Sequence, residues 1–202
     1  MTSVNEPPAT YHNSSCQGSS EEAGAKRLLR QLLDYAPQAP SEQKAREIML
    51  EALTKSPACF ERTHLPGHFT ASIWALVPRE NLVLLVHHRK LGRWLQPGGH
   101  VDGSPLLLPA ALRELEEETG IHTVSVVPGI FDLDVHPIPA RGEMPEHLHL
   151  DVRFAVTLPF AHELCCSEES SEVAWVSTSK IRERTDEESI LRMVQKSVSR
   201  FI

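Results

Sequence analysis

Residues 98–121 read GGHVDGSPLLLPAALRELEEETGI, a glycine turn that runs into a helix carrying four glutamates and one arginine. Each helical residue advances by about 100°, so Glu114 and Glu118 lie about 40° apart on one face. Glu117 falls about 60° to the other side of Glu114, and Glu116 points away. Leu108, Ala111, Leu112 and Leu115 share a neighbouring stripe that can face a core. Three carboxylates on one face repel one another and call for a cation. Hard dications such as Mg²⁺ take oxygen ligands and keep water and substrate phosphate in their shell. The simpler reading is a solvated acidic face, with Glu117 paired to Arg113 one turn back. Gly98-Gly99 before the helix and Gly120 after it weigh against that reading.

With Gly99 opening the run, Arg113-Glu114-Leu115, Glu117-Glu118 and Gly120-Ile121 resemble the Nudix box, the signature of Nudix hydrolases. One position departs from it: Pro105 stands where the family carries a glutamate, which leaves open how the loop before the helix is braced. Pro suits a first helical turn, so the helix is expected to start near Pro105 or near Pro109. The resemblance implies an α/β fold, an α/β/α sandwich around a mixed sheet; periodicity alone gives only α+β or α/β. It implies Mg²⁺ or Mn²⁺ on the box glutamates and hydrolysis of a nucleoside diphosphate linked to some other group, such as a nucleotide sugar or ADP-ribose. The alternative is a Nudix-like domain that binds nucleotide or regulates without turnover.

Carried over by motif position, Glu114 and Glu118 are the strongest metal ligands. Glu117 is a third ligand or the base, and Gly99 is part of the metal turn. Arg113 either clamps a carboxylate or touches phosphate. Many family members also use a carboxylate in a loop before the last strand, and Glu168, Glu169 and Glu172 lie in that region, with Glu168 taken as the candidate base. L-P-G-H (65–68), the run from His87 to His100, and H-L-H-L-D-V-R-F (147–154) resemble one bacterial branch of the family.

Around this stretch the chain reads as one core with an appendage. It has 202 residues, 41% apolar and 23% charged, which is ordinary for a globular protein. The net charge of −7 argues against a general nucleic-acid or membrane-surface binder. The expected partner is a small nucleotide-type molecule, with a homodimer possible and no nucleic-acid polymer or membrane. No signal peptide or membrane-length apolar run is seen. Four cysteines without C-x-x-C spacing suggest free thiols in a cytoplasmic protein.

Residues 1–20 are polar and read as a disordered tail. Residues 21–57 read as a helical hairpin packed on the main domain, its second helix capped by Ser41, and 58–202 as the Nudix domain. Strands are expected at Phe69–Val77, Leu82–Val86, Thr123–Val127, Ile130–Val135, His147–Leu158 and Glu172–Val176. A short helix is expected at Ser177–Arg184, then a final helix capped by Asp186 with Ile190, Leu191, Val194 and Val198 inward.

The strand at 147–154 alternates cleanly, with His147, His149, Asp151 and Arg153 on one side. Two histidines and an aspartate suggest zinc, but no ligand quartet has matching spacing. The favoured reading is a pocket face in which His149 and Arg153 meet substrate, Arg153 giving charge to phosphate. Arg89, Lys90 and Arg93 lie near the glycine turn and either hold phosphate or are solvated. Trp94 either stacks on a base or is simply packed.

Overall fold

The structure, a computed structural model, describes residues 17–201. The tail expected at residues 1–20 therefore lies outside the described residues over 1–16, while Gln17 already begins helix α1 (Gln17–Asp34). α2 (Pro40–Lys55) follows; Ala39 rather than Ser41 occupies the cap, without a side-chain hydrogen bond, and Pro40 opens the first turn. Proline costs nothing there because its missing N–H is one of the helix's unpaired donors.

The sheet is built around β1 (Gly67–Val77), whose residues are all buried. β1 runs parallel to β7 (His147–Thr157), with His68 opposite His149 and Ser72 opposite Arg153. Its other neighbours are antiparallel: β2 (Leu82–His88) at its far end and β4 (Gly98–His100) at the near one. β3 (Arg93–Leu95) and β8 (Ser170–Ser177) pair with β2, while β5 (Ser125–Val126) and β6 (Asp132–Ile138) pair with β7. The result is a mixed eight-stranded sheet, as the resemblance implied. Strands β3 and β4 are additions to the expected set, since the glycine turn itself pairs with β1. The strand expected at Thr123–Val127 shrinks to Ser125–Val126.

Each face of the sheet carries its own core. Phe69, Ala71, Ile73, Leu150, Val152 and Leu133 pack with Leu28, Leu32, Ala45 and Met49 of the hairpin and with Leu107, Ala111 and Leu115 of α3 (Leu107–Thr119). On the other face Trp74, Leu85 and Ala155 pack with Ile190, Met193 and Val194 of α4 (Glu188–Phe201). The final helix is turned slightly from expectation: Val198 is exposed, and Ser197 is buried in its place. There Trp74 Nε1 donates to Ser197 Oγ at 2.7 Å.

Helix α3 begins between the two expected starts, with Pro109 third in the helix, inside the turn whose amides have no partner. Gly120 closes it at φ +76°, a left-handed conformation that costs glycine little. The preceding loop is held from outside. Gly103 N donates to Phe60 O at 2.9 Å, and Arg62 pairs with Asp102 at 2.5 Å. Pro105 is met by α1, which comes so close at Gly24 that a Cβ there would lie 2.9 Å from the Pro105 ring. A hydrophobic contact with the hairpin thus stands where the family has a charged brace.

Candidate active site

Three of the box carboxylates converge on the edge of β4. Glu118 is 7% exposed and accepts the amide hydrogen of Gly98 at 2.9 Å. Glu114 lies against Gly99, where a Cβ would come within 2.6 Å of its carboxyl carbon. A side chain at position 99 would push the Glu114 carboxylate out of this place. Arg113 reaches Glu114 at 2.8 Å and Glu117 at 2.9 Å and donates to His100 O at 3.1 Å. Of the two roles left open for it, the geometry shows the carboxylate clamp.

The electrostatics are those of an acid cluster short of cations. Burial pushes the Glu118 carboxyl up to about 8, and Glu114, Glu169 and Glu117 add repulsion against the Gly98 hydrogen bond. Glu114 is raised too, by burial first, with Arg113 opposing. No salt bridge reaches Glu118 among the described residues. Oxygen donors, mutual repulsion, one arginine and a glycine-lined approach fit a hard dication with open positions. Glu114 and Glu118 are the residues that could hold it, with Glu117 at the exposed rim.

Among the loop carboxylates the structure separates neighbours. Both Glu168 and Glu169 are exposed in the same turn, and of the two it is Glu169 that acts electrostatically on Glu114, Glu118 and His100. Glu169 thus joins Glu168 as a candidate base. Glu172 pairs with Arg184 at 3.5 Å instead. Arg89 shapes this loop: its amide donates to Glu169 O and its guanidinium to Ser170 O, both at 2.9 Å.

Two expected substrate contacts sit elsewhere. Trp94 is buried, with the Arg184 guanidinium over its ring at 4.8 Å and His87 at 5.2 Å, so it is a packed tryptophan. Arg153 is buried and enclosed by Asp151 at 2.7 Å, Asp134 at 3.1 Å and Asp132 at 3.4 Å. Its donors are committed to protein carboxylates, so the expected phosphate contact is corrected to a structural one. Asp132 also binds Arg192 at 2.7 Å and Lys196 at 2.8 Å, and Lys196 contacts the buried Glu42 of α2. This charged network ties α2, β6, β7 and α4 together.

His149 is half-buried, in company the sequence did not announce. His68 from β1, His100 from β4 and His136 from β6 surround it, with ring centroids 5.0, 5.1 and 5.6 Å away. Burial, then the neighbouring imidazoles, push His149 down to about 2 and His68 to about 4. Strand pairing supplies these neighbours, and no spacing along the chain reveals it. Two surface concavities lie elsewhere, one beside the hairpin at Tyr35 and Phe131 and one beside Trp94. The glutamate cluster opens to solvent directly, at the rim formed by Glu117.

Comparison with known proteins agrees with the geometry. Residues 67–196 match the NUDIX domain family. An m7GpppN-mRNA hydrolase of Xenopus laevis is 35% identical over 94 residues, covering 42% of this chain and 31% of the relative. An RNA pyrophosphohydrolase of Erythrobacter litoralis is 37% identical over 77 residues, covering 36% of this chain and 44% of the relative. The chain thus matches less than half the length of either. Among solved structures, the Escherichia coli dihydroneopterin triphosphate pyrophosphohydrolase superposes with a TM-score of 0.51 at 16% identity, over 63% of this chain and 92% of that one. That likeness is one of fold. No described helix is long and apolar enough to cross a membrane.

Proposed function

The chain belongs to the NUDIX domain family, and on that premise we propose that it hydrolyses the diphosphate linkage of a nucleoside diphosphate derivative with Mg²⁺ or Mn²⁺. The observation that carries this reading is the Glu114–Glu118 pair, raised above the ordinary carboxylate range at a glycine-lined edge with one arginine nearby. When bound by Glu114 and Glu118, the dication supplies charge neutralisation at the diphosphate and a more acidic water.

The protein's own groups supply the rest. Arg113 fixes Glu114 and Glu117 in place through its paired contacts. The water oxygen attacks one phosphorus, the P–O bond to the bridging oxygen breaks, and the leaving phosphate takes the electron pair. The water's proton passes to a carboxylate facing the cluster. Glu169 is favoured over Glu117, since Arg113 already holds the latter.

The two matched relatives are named an m7GpppN-mRNA hydrolase and an RNA pyrophosphohydrolase, so capped and triphosphorylated RNA belong in the substrate panel with ADP-ribose and nucleotide sugars. The test is phosphate or mass release by metal-stripped protein with Mg²⁺ restored, compared with Glu118→Gln. Turnover of one class that vanishes in Glu118→Gln is the expected result. Tight binding of a nucleotide with no turnover of any compound supports instead a non-catalytic nucleotide-binding domain.

A further inference from the structure

The histidine cluster lies on the other side of β4 from the glutamates. Side chains alternate across a strand, so Gly99 faces Glu114 while His100 points to the opposite face of the sheet. There His100 sits opposite Thr70 on β1, on the same face as His68, and His68 pairs directly with His149. The three imidazole centroids are 5.0 to 5.2 Å apart, and one ring nitrogen from each lies within 4.8 Å of the other two.

His68 is the decisive member. It is 1% exposed; its Nδ1 faces the His64 carbonyl at 3.4 Å, and its Nε2 has no hydrogen-bond partner. A carbonyl at Nδ1 holds the proton there and leaves a lone pair on Nε2, the state in which histidine ligates a metal. An unpartnered buried nitrogen costs free energy unless something meets it. Rings stacked merely as pocket lining would not explain three nitrogens from three strands converging while one is left unpaired. The neutral form suits this role, and burial holds both His68 and His149 well below the usual imidazole range.

We propose that His68, His100 and His149 form a second metal site, separate from the glutamates, for a borderline transition dication, with Zn²⁺ as the expected ion. Imidazole suits Zn²⁺, whereas Mg²⁺ selects oxygen, so the two sites sort their ions by ligand chemistry. Zinc–nitrogen bonds of about 2.0–2.1 Å place tetrahedral donors about 3.4 Å apart, so the rings close inward on binding. Three protein ligands leave the fourth position to water or to a group on a ligand. His149 lacked partners along the chain, and they come from β1 and β4.

The test uses the full chain stripped with chelator and titrated with Co²⁺, a visible-absorbing probe for zinc sites, then with Zn²⁺ by calorimetry. One equivalent should bind with intense visible absorption, be displaced by Zn²⁺, and bind unchanged in Glu118→Gln. His149→Gln and His100→Gln should each weaken it by at least about tenfold. His100 is only half-buried, so its variant is the one least able to disturb folding, which circular dichroism checks. No Zn²⁺ binding, binding unaffected in both histidine variants, or binding lost in Glu118→Gln would each overturn the site.

Discussion

Two acidic regions of this molecule use the same residue types to opposite ends. Asp132, Asp134 and Asp151 meet Arg153, Arg192 and Lys196 inside the protein, with ion pairs closing at 2.7 to 3.6 Å. Glu114, Glu117 and Glu118 meet Arg113 at an open edge. In the first region charge is balanced. Burial works against the Asp134 carboxylate, but the His136 hydrogen bond and Arg153 overcome it and hold the group at about 2. In the second, burial and repulsion prevail and Glu118 rises to about 8. A balanced acid network supports the fold; an unbalanced one at a surface edge is ready for a cation from solution.

The largest effect should come from breaking the balanced region. Arg153→Ala takes from Asp151 its one cation among the described residues and from Asp132 and Asp134 one of theirs, and should destabilise the protein by about 3–5 kcal/mol in urea denaturation. A change below about 1 kcal/mol would remove the structural role given to the network. Glu118→Gln should do the reverse. It should slow hydrolysis by at least about 100-fold while leaving metal-free thermal stability equal or higher. Glu169→Gln should lower kcat by about tenfold or more as a lost proton acceptor, and Glu168→Gln should leave it unchanged. Equal losses in these two variants would return the assignment to the loop as a whole.

The smallest effect is the most discriminating, because the two regions should answer pH in opposite senses. Glu118 has a folded pKa near 8, above its unfolded value, so the folded state binds the extra proton. Its contribution is present below about pH 4.5 and is lost as pH rises toward 8. Asp134 has a folded pKa near 2, below its unfolded value. Its contribution is present above about pH 4 and is lost as pH falls toward 2. Thermal melts of metal-free protein should show both limbs; Glu118→Gln should flatten the upper one, and saturating Mg²⁺ should do the same.

What the sequence made legible follows from local geometry. The Glu114–Glu118 face, the Gly120 stop and the approach at Gly99 depend on residues within one turn or one loop. The strand spans were readable for the same reason. The polar face of 147–153 was visible as alternation, but the identity of its partners was not. Arg153 looks like a free cation until β6 places two aspartates beside it. His149 looks like a lone pocket histidine until β1 and β4 bring His68 and His100. Pro105 looked like a gap in the box, and only the docked hairpin shows what braces the loop there. The partners of Arg153 and His149 belong to pairing between distant segments, which periodicity does not encode.

The central claim is that the unbalanced carboxylates on α3 hold a hard dication. Titration of metal-stripped protein with Mn²⁺, followed by electron paramagnetic resonance, measures this without needing the substrate. The account predicts binding in the wild type and in His149→Gln, competition by Mg²⁺, and at least about tenfold weakening in Glu118→Gln. Binding that survives in both Glu114→Gln and Glu118→Gln, or that is absent from the wild type, would contradict it.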